Sequence, residues 1–124
     1  MSKAQGGPIV HWVYEVTIRD GQLQNLKDLV AEMVARTEAG EPETLAYEWV
    51  VSEDGTRGQA HERYATSEAA LAHLATFNRD FAERLGTMVD FARFTIYGHA
   101  SAALKQTIAD SRPIYFADVA GFER

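Results

Sequence analysis

The sequence predicts an α+β fold: a ferredoxin-like βαββαβ arrangement on one antiparallel sheet, followed by a C-terminal α-β extension. Three observations predict it. Residues 9–18 alternate in the manner of a strand with two distinct faces. Two segments with helical apolar spacing, near residues 22–38 and 68–86, stand on either side of a pair of strand-like runs. That pair flanks Asp54-Gly55, a turn signal of the kind that closes a hairpin.

Each element has its own justification. In residues 9–18, Val10, Trp12, Tyr14, Val16 and Ile18 form a core face, and Ile9, His11, Val13, Glu15 and Thr17 form a mixed one. Arg19-Asp20-Gly21 is a turn. Leu23, Leu26, Val30, Met33 and Val34 then recur on one side of a helix, with Gly40 as its stop and Pro42 just beyond. The hairpin follows as residues 45–51 and 59–64. Thr66 or Ser67 caps a second helix from Glu68, which runs to Gly86 or breaks near Asn78; Leu71, Leu74, Phe81 and Leu85 line its apolar side. Residues 88–98 alternate as a fourth strand. A short helix over 101–110 and a last strand over 114–119 complete the chain.

Composition narrows the function. A chain of 124 residues has the length of one domain, expected over residues 9–124 behind a flexible lead-in at 1–8 that contains Gly6-Gly7-Pro8. Its net charge of −6 argues against nucleic acid, whose phosphates need a basic surface. With no cysteine there is no disulfide, thiolate nucleophile or zinc-thiolate site. No apolar run reaches the roughly 20 residues of a membrane span. Residues 1–8 lack the apolar stretch of a secretory signal, so the default compartment is the cytoplasm.

Two helices cover one face of such a sheet. The other face, expected to carry Val13, Phe91 or Phe94 and part of the hairpin, needs a cover too, and a second copy of the chain is the economical one. The expected partner is therefore the chain itself, as a homodimer, with the C-terminal strand able to pair with the partner's sheet and cap an exposed edge. His11, Glu48, His61 and Arg63 lie on that outer face. They read either as a polar site inside a dimer barrel or as an ion-pair network that fixes how two sheets stack.

Four stretches, in order, resemble the antibiotic biosynthesis monooxygenase family, a branch of the dimeric α/β-barrel superfamily. They are the first strand, turn and helix; Glu41-Pro42 with Leu45-Ala46-Tyr47-Glu48; Glu62-Arg63-Tyr64; and the second helix, with its His73-Leu74 pair. Glu43-Thr44 stands where the family pattern has Gly, and Tyr64 where it has Trp. The resemblance implies a dimeric α/β barrel. It also implies a small monooxygenase working without cofactor on an aromatic, phenolic or quinol metabolite; the alternative is a non-enzymatic ligand-binding or structural dimer of the same fold.

Such a reaction needs a base to ionise a phenol, a hydrogen-bond donor and a dry aromatic cavity. His73, at the rim of the helix's apolar stripe, is a candidate base; its plainer reading is a half-exposed surface histidine. Tyr64 and Glu62 share a strand face and are candidates to bind or ionise a phenol; their plainer reading is a satisfied core tyrosine beside a paired carboxylate. Trp12, Tyr47, Trp49 and Phe77 are candidate cavity residues, or simply core. No metal is expected, since the four histidines show no helical pairing, although His11, His61 and Glu48 together are one conceivable triad. Haem chemistry is not expected either: the haem-degrading branch uses an Asn on the first strand, and residues 9–18 contain none.

Overall fold

The computed structural model describes residues 8–124, so apart from Pro8 the expected N-terminal lead-in lies outside the described residues. Among the described residues, five strands and four α-helices run in the order β1 (Val10–Ile18), α1 (Leu23–Gly40), β2 (Thr44–Val51), β3 (Arg57–Tyr64), α2 (Ser67–Asp80), α3 (Ala82–Gly86), β4 (Val89–Gly98), α4 (Ala102–Ile108) and β5 (Ile114–Phe116). A short 3-10 turn, Ala109–Ser111, links α4 to β5. The sheet order is β2-β3-β1-β4-β5. β1 is central and antiparallel to both β3 and β4, as the βαββαβ reading requires. The sheet is open within this chain; it does not close into a barrel.

Local chemistry sets the boundaries. Asp54 Oδ1 accepts from the Thr56 N–H and from the Ser52 and Thr56 hydroxyls, an Asx-type turn, while Gly55 at φ +74° takes the left-handed corner. Thr66 caps α2 by accepting from the Ala69 N–H at 3.1 Å. Ser101 does the same for α4, and its own N–H donates to Ser67 Oγ at 3.0 Å, which ties α4 to the start of α2. The second helical segment does not run unbroken to Gly86: it stops at Asp80 and resumes at Ala82.

Three expectations are corrected. The C-terminal strand is Ile114–Phe116, shorter than the expected 114–119, and pairs in parallel with β4 of its own chain, Thr95 opposite Ile114. The return through α4 supplies the long crossover that a parallel neighbour requires. Strict alternation in β4 fails at Ala92. Glu15 pairs with Arg93 and Val16 with Phe91, so Ala92 is an extra residue, a β-bulge. The bulge brings Val89, Phe94 and Ile96 onto one face although their numbers differ in parity. Phe94 is accordingly buried under the helices and is not an outer-face residue.

The helix-side core has two parts. Val10, Trp12, Tyr64, Ala70, Phe94, Ile96, Leu104 and Ile108 form one. Val16, Ile18, Leu26, Leu29, Met33, Phe81, Leu85 and Val89 form the other. Each large aliphatic or aromatic side chain so buried contributes about 1.5–3 kcal/mol. Tyr14 packs against both parts. Among the described residues no helix is long and apolar enough to cross a membrane.

Candidate functional site

The two parts of the core do not merge completely. Between them lies a cavity of about 40 Å³, lined by Trp12, Tyr14, Tyr47, Trp49, Phe94 and Glu62 from the sheet and by His73, Leu74, Phe77 and Leu85 from the helices. Trp12, Tyr47, Trp49 and Phe77 all border it, as do two of the three candidate reacting groups, Glu62 and His73. Tyr64 does not reach the cavity surface; its hydroxyl donates a short hydrogen bond to Glu62 Oε1.

That bond begins a run of polar contacts. The same Glu62 oxygen lies 3.2 Å from His73 Nε2. His73 Nδ1 lies 2.8 Å from Glu41 Oε1, and the Thr44 hydroxyl donates to that glutamate oxygen at 2.9 Å. The geometry follows from the elements. Glu62 and Tyr64 are two apart on β3 and so share a face. His73 sits on the second turn of α2, above them. Glu41 follows α1 directly, where its N–H closes the helix onto the Thr37 carbonyl. The His73 ring meets Tyr47 edge-on at 5.1 Å and Tyr64 at 5.5 Å.

His73 is 5% exposed, not the half-exposed surface histidine of the plainer reading. An edge position on the helical wheel becomes a buried one because Glu41, Tyr47, Glu62 and Tyr64 close around the ring. Burial acts to lower the imidazole pKa. The Glu62 hydrogen bond and charge, and then Glu41, act the other way and leave it raised. Burial first, and the nearby Glu62 charge second, push the Tyr64 and Tyr47 phenols up, so both stay protonated as donors.

Glu41 is the member of this cluster that the residue-by-residue reading did not single out. It served there only as part of a motif. Its 32-residue separation from His73 hides the contact, and the available signal was a carboxylate placed just after a helix stop, next to a strand carrying Thr44 and Tyr47.

The outer face is different. Glu48 stands opposite His61 in the β2–β3 ladder, and His11 and Val13 flank the same shallow pocket of about 220 Å³. His61 Nε2 is 2.9 Å from Gln59 Oε1, and Gln59 donates to Glu15 at 2.8 Å. Arg63 reaches Glu123 of the C-terminal segment at 3.2 Å. The His11 ring stacks on Tyr97, and Tyr97 on Phe116. Among the described residues no group of three or more His, Asp or Glu side chains is placed to hold a metal, so His11, His61 and Glu48 do not form the triad considered above.

A family model described as antibiotic biosynthesis monooxygenase matches residues 9–105. No curated protein gives a significant match. Among solved structures, MupZ from Pseudomonas fluorescens is similar at TM-score 0.85 and 21% identity, covering 95% of this chain and 96% of that one. SnoaB from Streptomyces nogalater, a cofactor-independent oxygenase, is similar at TM-score 0.64 and 15% identity over 77% of this chain and 97% of its own. A conserved protein from Methanosarcina mazei gives TM-score 0.65 at 15% identity, with 76% and 95% covered. At these identities the likeness is one of fold.

Proposed function

The chain belongs to the antibiotic biosynthesis monooxygenase family, and on that premise we propose that it is a cofactor-independent monooxygenase of an aromatic, phenolic or quinol metabolite, bound between helices and sheet. The observation that carries the proposal is the cluster Glu41–His73–Glu62–Tyr64 ending at an aromatic-lined cavity. A phenol entering that cavity meets Glu62 and His73 at its wall. Its proton passes to Glu62 and on through His73 to Glu41, the outermost of the three, which leaves an electron-rich phenolate to react with dioxygen. Tyr64 acts as a positioning residue: its hydroxyl holds the Glu62 oxygen while the phenol itself stays protonated.

The chemistry accords with the surroundings. A proton relay needs groups within hydrogen-bond reach of one another, and a buried His between two carboxylates supplies that contact. The apolar remainder of the wall excludes water from a charged intermediate.

The size of the cavity supports a second reading. About 40 Å³ holds a few waters, whereas a dry site for a benzene ring is nearer about 150 Å³. Either the walls part to admit a ring, or the cluster is structural and the protein is a non-enzymatic dimer. Oxygen uptake by purified protein with anthrones, naphthols and quinols decides between them. Turnover that His73→Asn abolishes supports the enzyme; no turnover and no aromatic binding leaves the structural reading.

We also propose that the functional unit is a homodimer joined through the outer sheet face. Helices cover only one side, and Val50 and Phe116 are exposed at 48% and 53% beside the His11–Glu48–His61–Arg63 surface.

A further inference from the structure

The run Glu62–His73–Glu41 is closed at one end and open at the other. Side-chain exposure is 8% at Glu62 and 6% at His73, but 15% at Glu41. His73 Nδ1 and the Thr44 hydroxyl both meet the same oxygen of Glu41, Oε1. The other oxygen, Oε2, bonds to no described residue, yet it is not among the buried unpartnered atoms, so it is open to solvent.

Glu41 borders a second pocket, of about 150 Å³, whose other lining residues are Gly40, Pro42, Glu43, Thr44, Ala69 and Ala72. None of these residues lines the aromatic cavity, and neither Glu62 nor His73 lines the pocket. The two spaces are separate, and His73 stands between them. Its Nε2 is at Glu62 on the cavity side and its Nδ1 at Glu41 on the pocket side.

Small residues keep this pocket open. The chain leaves α1 at Gly40, and Ala69 and Ala72 of α2 stand opposite. Ala69 lies one turn before His73, and Ala72 neighbours Ala69 at the i+3 position. A methyl group at each of these positions, and none at Gly40, leaves the Glu41 carboxylate uncovered. A polar space of this size has room for several waters. A carboxylate with an imidazole on one side and water on the other is a path for protons, because every hop stays within hydrogen-bond reach.

We infer that Glu41 and its pocket form the port through which the His73 cluster exchanges protons with solvent, apart from the cavity that holds the ligand. The inference rests on the acid–base reading above for its use in catalysis, and adds the route a proton takes beyond Glu41. The exchange moves protons and no electrons. The His73 Nδ1–H bond breaks as a Glu41 O–H bond forms; Glu41 then passes its proton to water or a buffer base in the pocket, and a solvent proton returns by the reverse steps. A ligand thus fills the cavity without trapping the proton it has given up.

The test follows the proton itself and needs no substrate. On the isotope-labelled full chain, exchange of the His73 ring N–H protons with water is read by nitrogen–proton correlation spectroscopy, with imidazole added as the small base. Glu41→Gln keeps an oxygen facing His73 but takes up no proton, and is expected to slow the exchange by roughly 10²-fold. Ala72→Leu keeps the Glu41–His73 contact and narrows the pocket, at an exposed helical position where leucine is well tolerated. It is expected to slow the exchange as well, and to weaken its rise with imidazole. A His73 signal too fast-exchanging to observe in the wild type, but visible in both variants, supports the port equally.

Exchange that Ala72→Leu leaves unchanged, or a His73 signal missing from all of these proteins alike, overturns the port and leaves the enzyme reading standing. Slowed exchange in both variants, with no oxygen uptake on any phenol, keeps the port and removes the enzyme reading.

Discussion

His73 carries the most consequence of any single residue. Its pKa is raised in the fold, so protonated His73 is stabilised relative to the unfolded chain. That contribution is fully present below the unfolded value, about 6.5, and fades as pH rises through the higher folded value. Thermal melts of wild type and His73→Gln are therefore expected to differ most near pH 5.5 and to draw closer as pH rises; a gap that widens with pH contradicts the assignment. Tyr64→Phe removes a buried donor from Glu62 and is expected to cost about 1–3 kcal/mol in urea unfolding. If the cluster is catalytic, His73→Asn lowers kcat by roughly 10²–10⁴-fold, measured as oxygen uptake. The sequence pointed to His73, Glu62 and Tyr64 because each sits on a readable periodic element. It did not bring Glu41 to them, since the contact joins a loop to a helix across the sheet. Nor did it reveal that His73 is buried: a helical wheel shows a side chain's angle but not which residues of other elements close around it.

At the scale of elements, propensity and patterning were most informative where a strand or helix needs only its own residues. The core face of β1, the Asp54-Gly55 turn and the Thr66 cap are all local signals, and all appear in the structure. The bulge in β4 is a property of two strands in register, so one strand's alternation gives no warning of it. The parallel pairing of β5 was hidden for a similar reason: three residues carry too little pattern to name a partner. Two substitutions probe these elements. Thr66→Ala is expected to cost about 1 kcal/mol through the lost cap, read by urea unfolding. At Gly98 a Cβ meets the Ile9 carbonyl oxygen at 2.7 Å with φ at +98°. Gly98→Ala is therefore expected to destabilise by more than the Thr66 change, and a milder effect contradicts the close approach of β1 and β4.

For the whole molecule, the open sheet is the governing fact. Its helix side is sealed by two core clusters and holds the cavity; its outer side has Val13 at the centre, between His61 and Thr95. Standard stable interfaces bury about 800 Å² per partner, an area that a five-stranded face of this size can supply. Val13→Asp places a charge in the middle of that face and is expected to convert a micromolar dimer to monomer in sedimentation velocity, with the near-ultraviolet dichroism of the aromatic core unchanged. A wild-type monomer at that concentration removes the dimer proposal.

The extra residue at Ala92 also bears on which length changes the chain tolerates. Deleting one residue from a strand ordinarily turns every later side chain to the wrong face. Here β1 keeps its alternation while β4 carries one residue too many, so losing Ala92 leaves Val89 and Phe91 on one side of the gap, and Phe94 and Ile96 on the other, facing as they did before. The bulge at residues 92 and 93 is thus the point in β4 where a shorter version of the protein keeps its inside and outside intact, and a single-residue deletion scan read by solubility would find the strand's tolerance there.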